Sequence, residues 1–146
     1  VFTRAVAHGA ESMAAELSER RGLTIEHAHQ WLRHVGLLSP VDELEGDSEI
    51  MFDARVVLAE SVHRIADEVR NSLDFHAMQT GTSAVERAVL TGPAAAIPGF
   101  ADQLGHEIGL NLDIRLVGEA RAGAFAGIEP AGLAVAAGLA VEEAPA

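Results

Sequence analysis

Between residues 49 and 78 the positions Met51, Ala54, Leu58, Val62, Ile65, Val69 and Leu73 recur at steps of three or four. That is the period of one face of an α-helix, and Arg55, Glu60, Asp67 and Arg70 fall mostly on the opposite arcs. Asp47 or Ser48 supplies an N-cap and Gly81 a stop. Thirty helical residues span ~45 Å at 1.5 Å each, so every other element of this short chain must arrange itself along one long rod.

The flanking segments are short. Residues 1–7 read as a strand and His8 with Gly9 as a turn. A helix is predicted over 10–21 from Met13 and Leu17, with Gly22 at its end. Thr24 caps a second helix over 25–35, whose stripe is Ile25, Ala28, Leu32 and Val35. Pro40, Gly46 and several acids make 36–48 a loop. Beyond the long helix, 86–90 reads as a buried strand ending at Thr91, Gly92 and Pro93. Pro98 and Gly99 open a helix through Phe100, Leu104 and Ile108 to Gly109, and 112–117 alternates as a further strand. Strand, helix and strand at this spacing predict a parallel βαβ unit, hence an α/β fold. Gly- and Ala-rich residues 118–127 read as a loop, and 129–141 as a helix with Pro130 in its first turn. Small or apolar nearly all round, that helix expects burial on several sides.

Composition narrows the function. The 146 residues carry 10 basic and 22 acidic side chains, a net charge of −12. Nucleic acid and anionic lipid both require clustered cations, and are excluded. Every basic residue is Arg, so a P-loop or Schiff-base lysine is excluded too. Cysteine is absent, removing disulfides, thiolate metal sites and a thiol nucleophile. No segment opens the chain as a signal peptide, and the longest apolar stretch, 131–141, is short of the ~20 residues of a membrane span. A soluble, cytoplasmic protein without direct membrane insertion is expected. Because the sequence opens at Val1 in what reads as a strand, the chain is expected to be part of a longer protein. Among the seven histidines, His27 and His34 are seven apart and can share a helix face, whereas His27 and His29 cannot, and no metal-ligand motif is present. The acids Asp42, Glu43, Glu45 and Asp47 read as a solvated surface, and Trp31 as a core or interface residue that could otherwise stack on a base.

The stretch from Arg87 through Leu90, Thr91, Gly92, Pro93 and Ala94 to Gly99 and Phe100 resembles the adenosine motif of the actin-like ATPase superfamily. There an apolar strand runs into paired glycines, small residues and a helix opened by Gly. Upstream, Glu68, Val69, Arg70, Ser72, Leu73, Phe75 and His76 are similar to the E-[IV]-R-x-S-L-x-F-[YH] stretch in the long helix of the PilM family of type IV pilus assembly. Phe2, Thr3, Arg4 and Gly9 resemble the strand after that family's second phosphate loop, and 128–140 its closing helix. The four segments keep the family's order over nearly the whole chain.

The resemblance implies the second lobe of a PilM/FtsA-like protein with an actin-like (ribonuclease H-like) fold. Residues 1–22 and 84–128 would form a sheet-bearing subdomain and 23–83 a smaller helical one carrying the long return helix. Residues 129–146 would pack on a first lobe lying upstream. It implies an ATP cleft contacted by Thr91, Gly92, Pro93 and Ala94, and by Ala28, His29 and Leu32 of the second helix, with Mg²⁺ arriving with nucleotide in the longer protein. Two departures weaken that cleft. Pro93 replaces the second glycine and removes an N–H, while His29 and Leu32 stand where the family often has Glu and Lys. The independent physical logic is that Gly92 lets backbone approach a ligand, and that the helix starting at Gly99 aims free N–H groups at it. The expected role is a noncatalytic scaffold of pilus biogenesis, meeting a PilN-like inner-membrane protein or associating with itself. Two other readings stay open: half of a genuine actin-like ATPase, FtsA-like or kinase-like, or an unrelated small α/β adaptor.

Overall fold

The computed structural model describes residues 4–79, 81 and 83–115. In chain order these form α1 (Ala10–Arg21), α2 (Ile25–Val35), α3 (Ser48–Ala77), β1 (Arg87–Leu90), α4 (Phe100–Ile108) and β2 (Asn111–Ile114). Single turns of 3-10 helix occur at Val41–Glu43 and Pro93–Ala96. The predicted helix at 129–141, the loop at 118–127 and the end of the second strand lie outside the described residues.

Local chemistry sets the helix ends. Thr24 Oγ1 accepts the His27 N–H at 3.3 Å at the start of α2. The Asp47 carboxylate accepts the N–H groups of Glu49 and Ile50 at 3.0 and 3.1 Å, so Asp47 is the cap and Ser48 the first helical residue. Gly22 and Gly109 close α1 and α4 at φ 62° and 71°, where glycine costs least. The strand expected over 1–7 does not form in its described part: Arg4 to Ala7 is irregular and exposed. A strand exists only by pairing, and no described partner pairs with this segment.

One hydrophobic core joins the helices. Met13 and Leu17 of α1, Ala28, Leu32 and Val35 of α2, and Met51, Ala54, Val57, Leu58, Val62 and Ala66 of α3 meet Ile97, Phe100 and Leu104 from the last third of the chain. Buried residues from both expected subdomains thus belong to a single cluster. Along α3 the buried face differs from the predicted stripe: Val57 and Ser61 join it, while Ile65, Val69 and Leu73 are only half-buried. Past Ala66 the rod outruns the elements that cover it.

β1 and β2 pair in parallel, with Arg87 opposite Asn111 and Leu90 opposite Ile114. This is the predicted βαβ crossover, and the described fold is mixed α/β: four helices with a two-stranded parallel sheet. Leu90 and Leu112 pack toward the core, and Gly105 lets α4 lie close to the strand connection. The opposite face carries the Arg87–Asp113 ion pair and Val89, which is 55% exposed.

The all-arginine composition is used between α1 and α3. Glu16 is bridged by Arg20 at 2.6 Å and Arg64 at 2.8 Å, and Arg21 reaches Glu49 at 2.7 Å and Asp53. A guanidinium fork holds two carboxylates where an ammonium would hold one less specifically. Burial alone pushes the Glu16 carboxyl up, but hydrogen bonds and charge from Arg64 and Arg20 outweigh it and hold it below its ordinary value. A depressed folded-state pKa stabilises the fold fully above the unfolded value of about 4.3, and that contribution is lost as pH falls through the folded value. Urea denaturation should therefore show stability declining below about pH 5, and Glu16→Gln should flatten part of that decline. An identical acid limb in the variant would remove the Glu16 bridge from the account.

Candidate functional site

The residues singled out by sequence fall into two groups. Thr91 follows β1 and is exposed, Gly92 is buried, Pro93 is exposed and Ala94 half-buried in the 3-10 turn. Gly92 adopts φ 93°, ψ −177°, a corner of backbone space that only glycine takes readily. A Cβ there would meet nothing within 4 Å. The glycine is thus required by the bend, and no protein atom crowds the position of a Cβ. The Ala95 N–H is already bonded to Gly92 O at 3.0 Å, and Pro93 brings no donor.

At the start of α4 the backbone is partly engaged by the protein itself. The Phe100 N–H bonds to Ile97 O at 3.2 Å. Gly99 sits against the Leu37–Leu38 backbone, where a Cβ would lie 3.0 Å from the Leu37 carbonyl carbon. The expected anion-binding terminus is therefore packed beneath the segment that follows α2.

On α2 the predicted contacts divide. Ala28 is 0% and Leu32 1% exposed, and the side chains of both belong to the core. Projection every 3.6 residues puts His29 on the other face. There an open concavity of about 580 Å³ is lined by Glu11 at the start of α1, by Ile25, Glu26, His29, Gln30 and Arg33 of α2, and by Pro93. Its volume lies within the range of small-molecule sites. His29 Nε2 lies 3.2 Å from Glu11 Oε1 across its floor. Ile25, expected in the core stripe, is 42% exposed and forms part of the wall.

Glu26, Gln30 and Arg33 were not signalled by any motif. They stand at −3, +1 and +4 from His29, so the helical period that buries Leu32 also delivers them to this surface. The concavity offers carboxylates, an imidazole, an amide and a guanidinium around two apolar side chains. Such a set can pair with the hydrogen-bonding edges of a base and with a ribose diol. Glu11 and Glu26 disfavour several phosphates in the same space.

Several other polar residues have structural partners. Asp47 caps α3, and His34 Nε2 lies 2.8 Å from Glu45 O. His63 Nδ1 lies 3.2 Å from Glu107 Oε2. Trp31 packs half-buried against the core and meets His34 edge-on with centroids 5.6 Å apart. It does not line the concavity, so it supplies no stacking surface there. Among the described residues no group of His, Asp and Glu could hold a metal ion, and no helix is long and apolar enough to cross a membrane. Neither the protein-family models nor the curated proteins give a match to this chain.

Proposed function

We propose that this chain is a lobe of a PilM/FtsA-like actin-fold protein with a degenerate nucleotide cleft, serving as a noncatalytic scaffold. The observation that carries this reading is the convergence of His29 and Pro93 on one concavity. They are 64 positions apart in sequence, and the family resemblance assigns both of their segments to the same ligand. The parallel βαβ unit with the Gly92 bend between its strand and helix supports the reading further. In this proposal the site takes the nucleoside end of an adenine nucleotide, and its acids leave the phosphates outside. Mg²⁺ would arrive with the nucleotide. The scaffold would meet a PilN-like partner on the cytosolic face of the inner membrane.

Calorimetry tests it. Adenosine, ADP and ATP are expected to bind with similar weak affinity, Kd about 0.1–1 mM, or roughly −4 to −5.5 kcal/mol. Pro93→Gly restores one N–H at the nucleoside end and should tighten all three ligands about tenfold, the upper worth of one neutral hydrogen bond. His29→Ala should weaken all three ligands. No heat from any of them would end the nucleotide reading. Tight ATP binding unaffected by Pro93→Gly would end the claim that the cleft is degenerate.

A further inference from the structure

We propose that Glu11 sets the ligand class of the α2 concavity: its carboxylate engages the His29 imidazole and keeps phosphate-bearing ligands from using that ring. Naming a nucleotide as the excluded ligand rests on the function proposed above. The barrier to anions itself needs only the geometry of α1 against α2.

The two side chains are layered. The His29 side chain is 23% exposed and that of Glu11 83%, with Nε2 and Oε1 3.2 Å apart. A ligand approaching from solvent therefore meets the carboxylate before the ring. An oxyanion of that ligand would compete with Glu11 Oε1 for the same nitrogen, and like charges sharing one site disfavour each other. A neutral hydroxyl or amide meets no such barrier, because it can donate to the carboxylate. The lining points the same way. It holds two carboxylates, Glu11 and Glu26, against the one guanidinium of Arg33, an excess that a neutral side chain at position 11 would cancel.

The backbone under Glu11 is fixed. The Gly9 N–H donates to Ser12 Oγ at 2.9 Å, and the Ser12 hydroxyl donates to Gly9 O at 2.8 Å. The Met13 N–H donates to the same carbonyl at 3.1 Å. Behind this turn Met13 and Ala14 are 1% and 0% exposed and anchor α1 in the core. Only the Glu11 side chain is left to move, so the carboxylate is held within reach of His29 at every ligand encounter. An acid in the first turn also suits the α1 dipole. That accounts for a gain in helix stability, but not for a contact with a ring on another helix.

Glu11→Gln on the full chain removes the charge and keeps the shape. Glu19→Gln removes an equal charge from an exposed position on the same helix, ~12 Å along its axis and beyond the ~8 Å Debye length of physiological salt. In the unaltered chain ADP and adenosine are expected to bind about equally. Calorimetry on Glu11→Gln should give ADP an advantage of about tenfold over adenosine, and on Glu19→Gln none. An unchanged ratio in Glu11→Gln, or an equal gain in Glu19→Gln, would overturn the proposal. Inorganic phosphate supplies a readout without a nucleoside. At equal phosphate concentration the His29 ring signals of Glu11→Gln should shift about threefold further in NMR spectra than those of the unaltered chain, and equal shifts would overturn the proposal. No heat with adenosine in any of the three proteins, with the phosphate shifts as expected, would end the nucleoside reading and uphold Glu11 as the barrier to anions.

Discussion

Phe100→Ala is expected to lower the stability of this chain by about 3–5 kcal/mol, the range for emptying a buried aromatic site. Phe100 is 1% exposed and is among the largest fully buried side chains of the core. It opens α4, and with Ile97 and Leu104 it brings the βαβ part of the chain into the cluster built on α1, α2 and α3. The neighbours on the α3 side are carried by a rigid 30-residue helix, so the vacated space collapses poorly and the cavity contribution persists. Total stabilities of about 5–15 kcal/mol make this a large fraction of the whole. The loss should also be uneven. Amide exchange in β1, α4 and β2 should accelerate more than in α1 and α2, because Phe100 ties the former to the latter. Urea denaturation checks the size and residue-resolved exchange the distribution. A cost below about 1.5 kcal/mol, the value for a well-tolerated swap, would mean that the βαβ part is held by other contacts.

Most helix ends were legible in the sequence because they are local; the end of α3 was not, since the helix stops at Ala77 with Met78 as its cap and does not run to Gly81. Thr24, Asp47, Gly22 and Gly109 act on residues within one turn, and each sits where the sequence places it. The parallel pairing of β1 with β2 was legible from strand, helix and strand spacing alone. The strand over 1–7 was not, since β-branched composition describes a surface that fits a sheet without naming its neighbour. On α3, steps of three and four give the centre of the buried face and not its width. Val57 and Ser61 lie on its flank and are buried, while Ile65 lies within it and is half-buried, because burial at each turn depends on which other elements reach it.

The candidate site shows a sharper conflict. Ala28 and Leu32 belong to the apolar stripe of α2 and also to the segment that the family resemblance assigns to nucleotide. One face of a helix cannot line the core and a ligand cleft together. Burial at 0% and 1% settles their side chains in the core, because about 25 cal/mol per Å² of apolar surface favours it. His29 lies on the other face of the helix, fixed by the same geometry, and lines the concavity. Helical projection from Leu32 leads directly to Glu26, Gln30 and Arg33. The contribution of Glu11 to that concavity is tertiary and had no sequence signal, since it depends on how α1 lies against α2, whereas Pro93 was placed beside His29 by the resemblance alone.

Gly36→Ala should cost about 3–5 kcal/mol, whereas Gly22→Ala should cost only about 1 kcal/mol, the penalty for a single left-handed alanine. Both glycines end a helix and both have positive φ, 49° and 62°. Their surroundings differ. Gly22 has open space where a Cβ would stand, but at Gly36 that Cβ would lie 2.8 Å from Pro98 O and 2.9 Å from Pro98 Cβ. Backbone oxygen cannot rotate away as a side chain can, so relief requires moving the whole 97–99 turn. That turn is held to α2 by the Leu37 N–H donating to Pro98 O at 2.7 Å and by Gly99 against Leu37 and Leu38. Gly36 also combines φ 49° with ψ −157°, a conformation worth about 1–3 kcal/mol of strain for other residues. The forced displacement adds about 1–3 kcal/mol of overpacking. The consequence reaches function, because Pro93 moves with this turn while His29 stays with α2. The concavity should widen, so a nucleoside that bridges the two must bind more weakly to Gly36→Ala than to Gly22→Ala at equal folded fraction. Equal unfolding costs for the two variants would show that the α2–α4 backbone approach does not hold the site together.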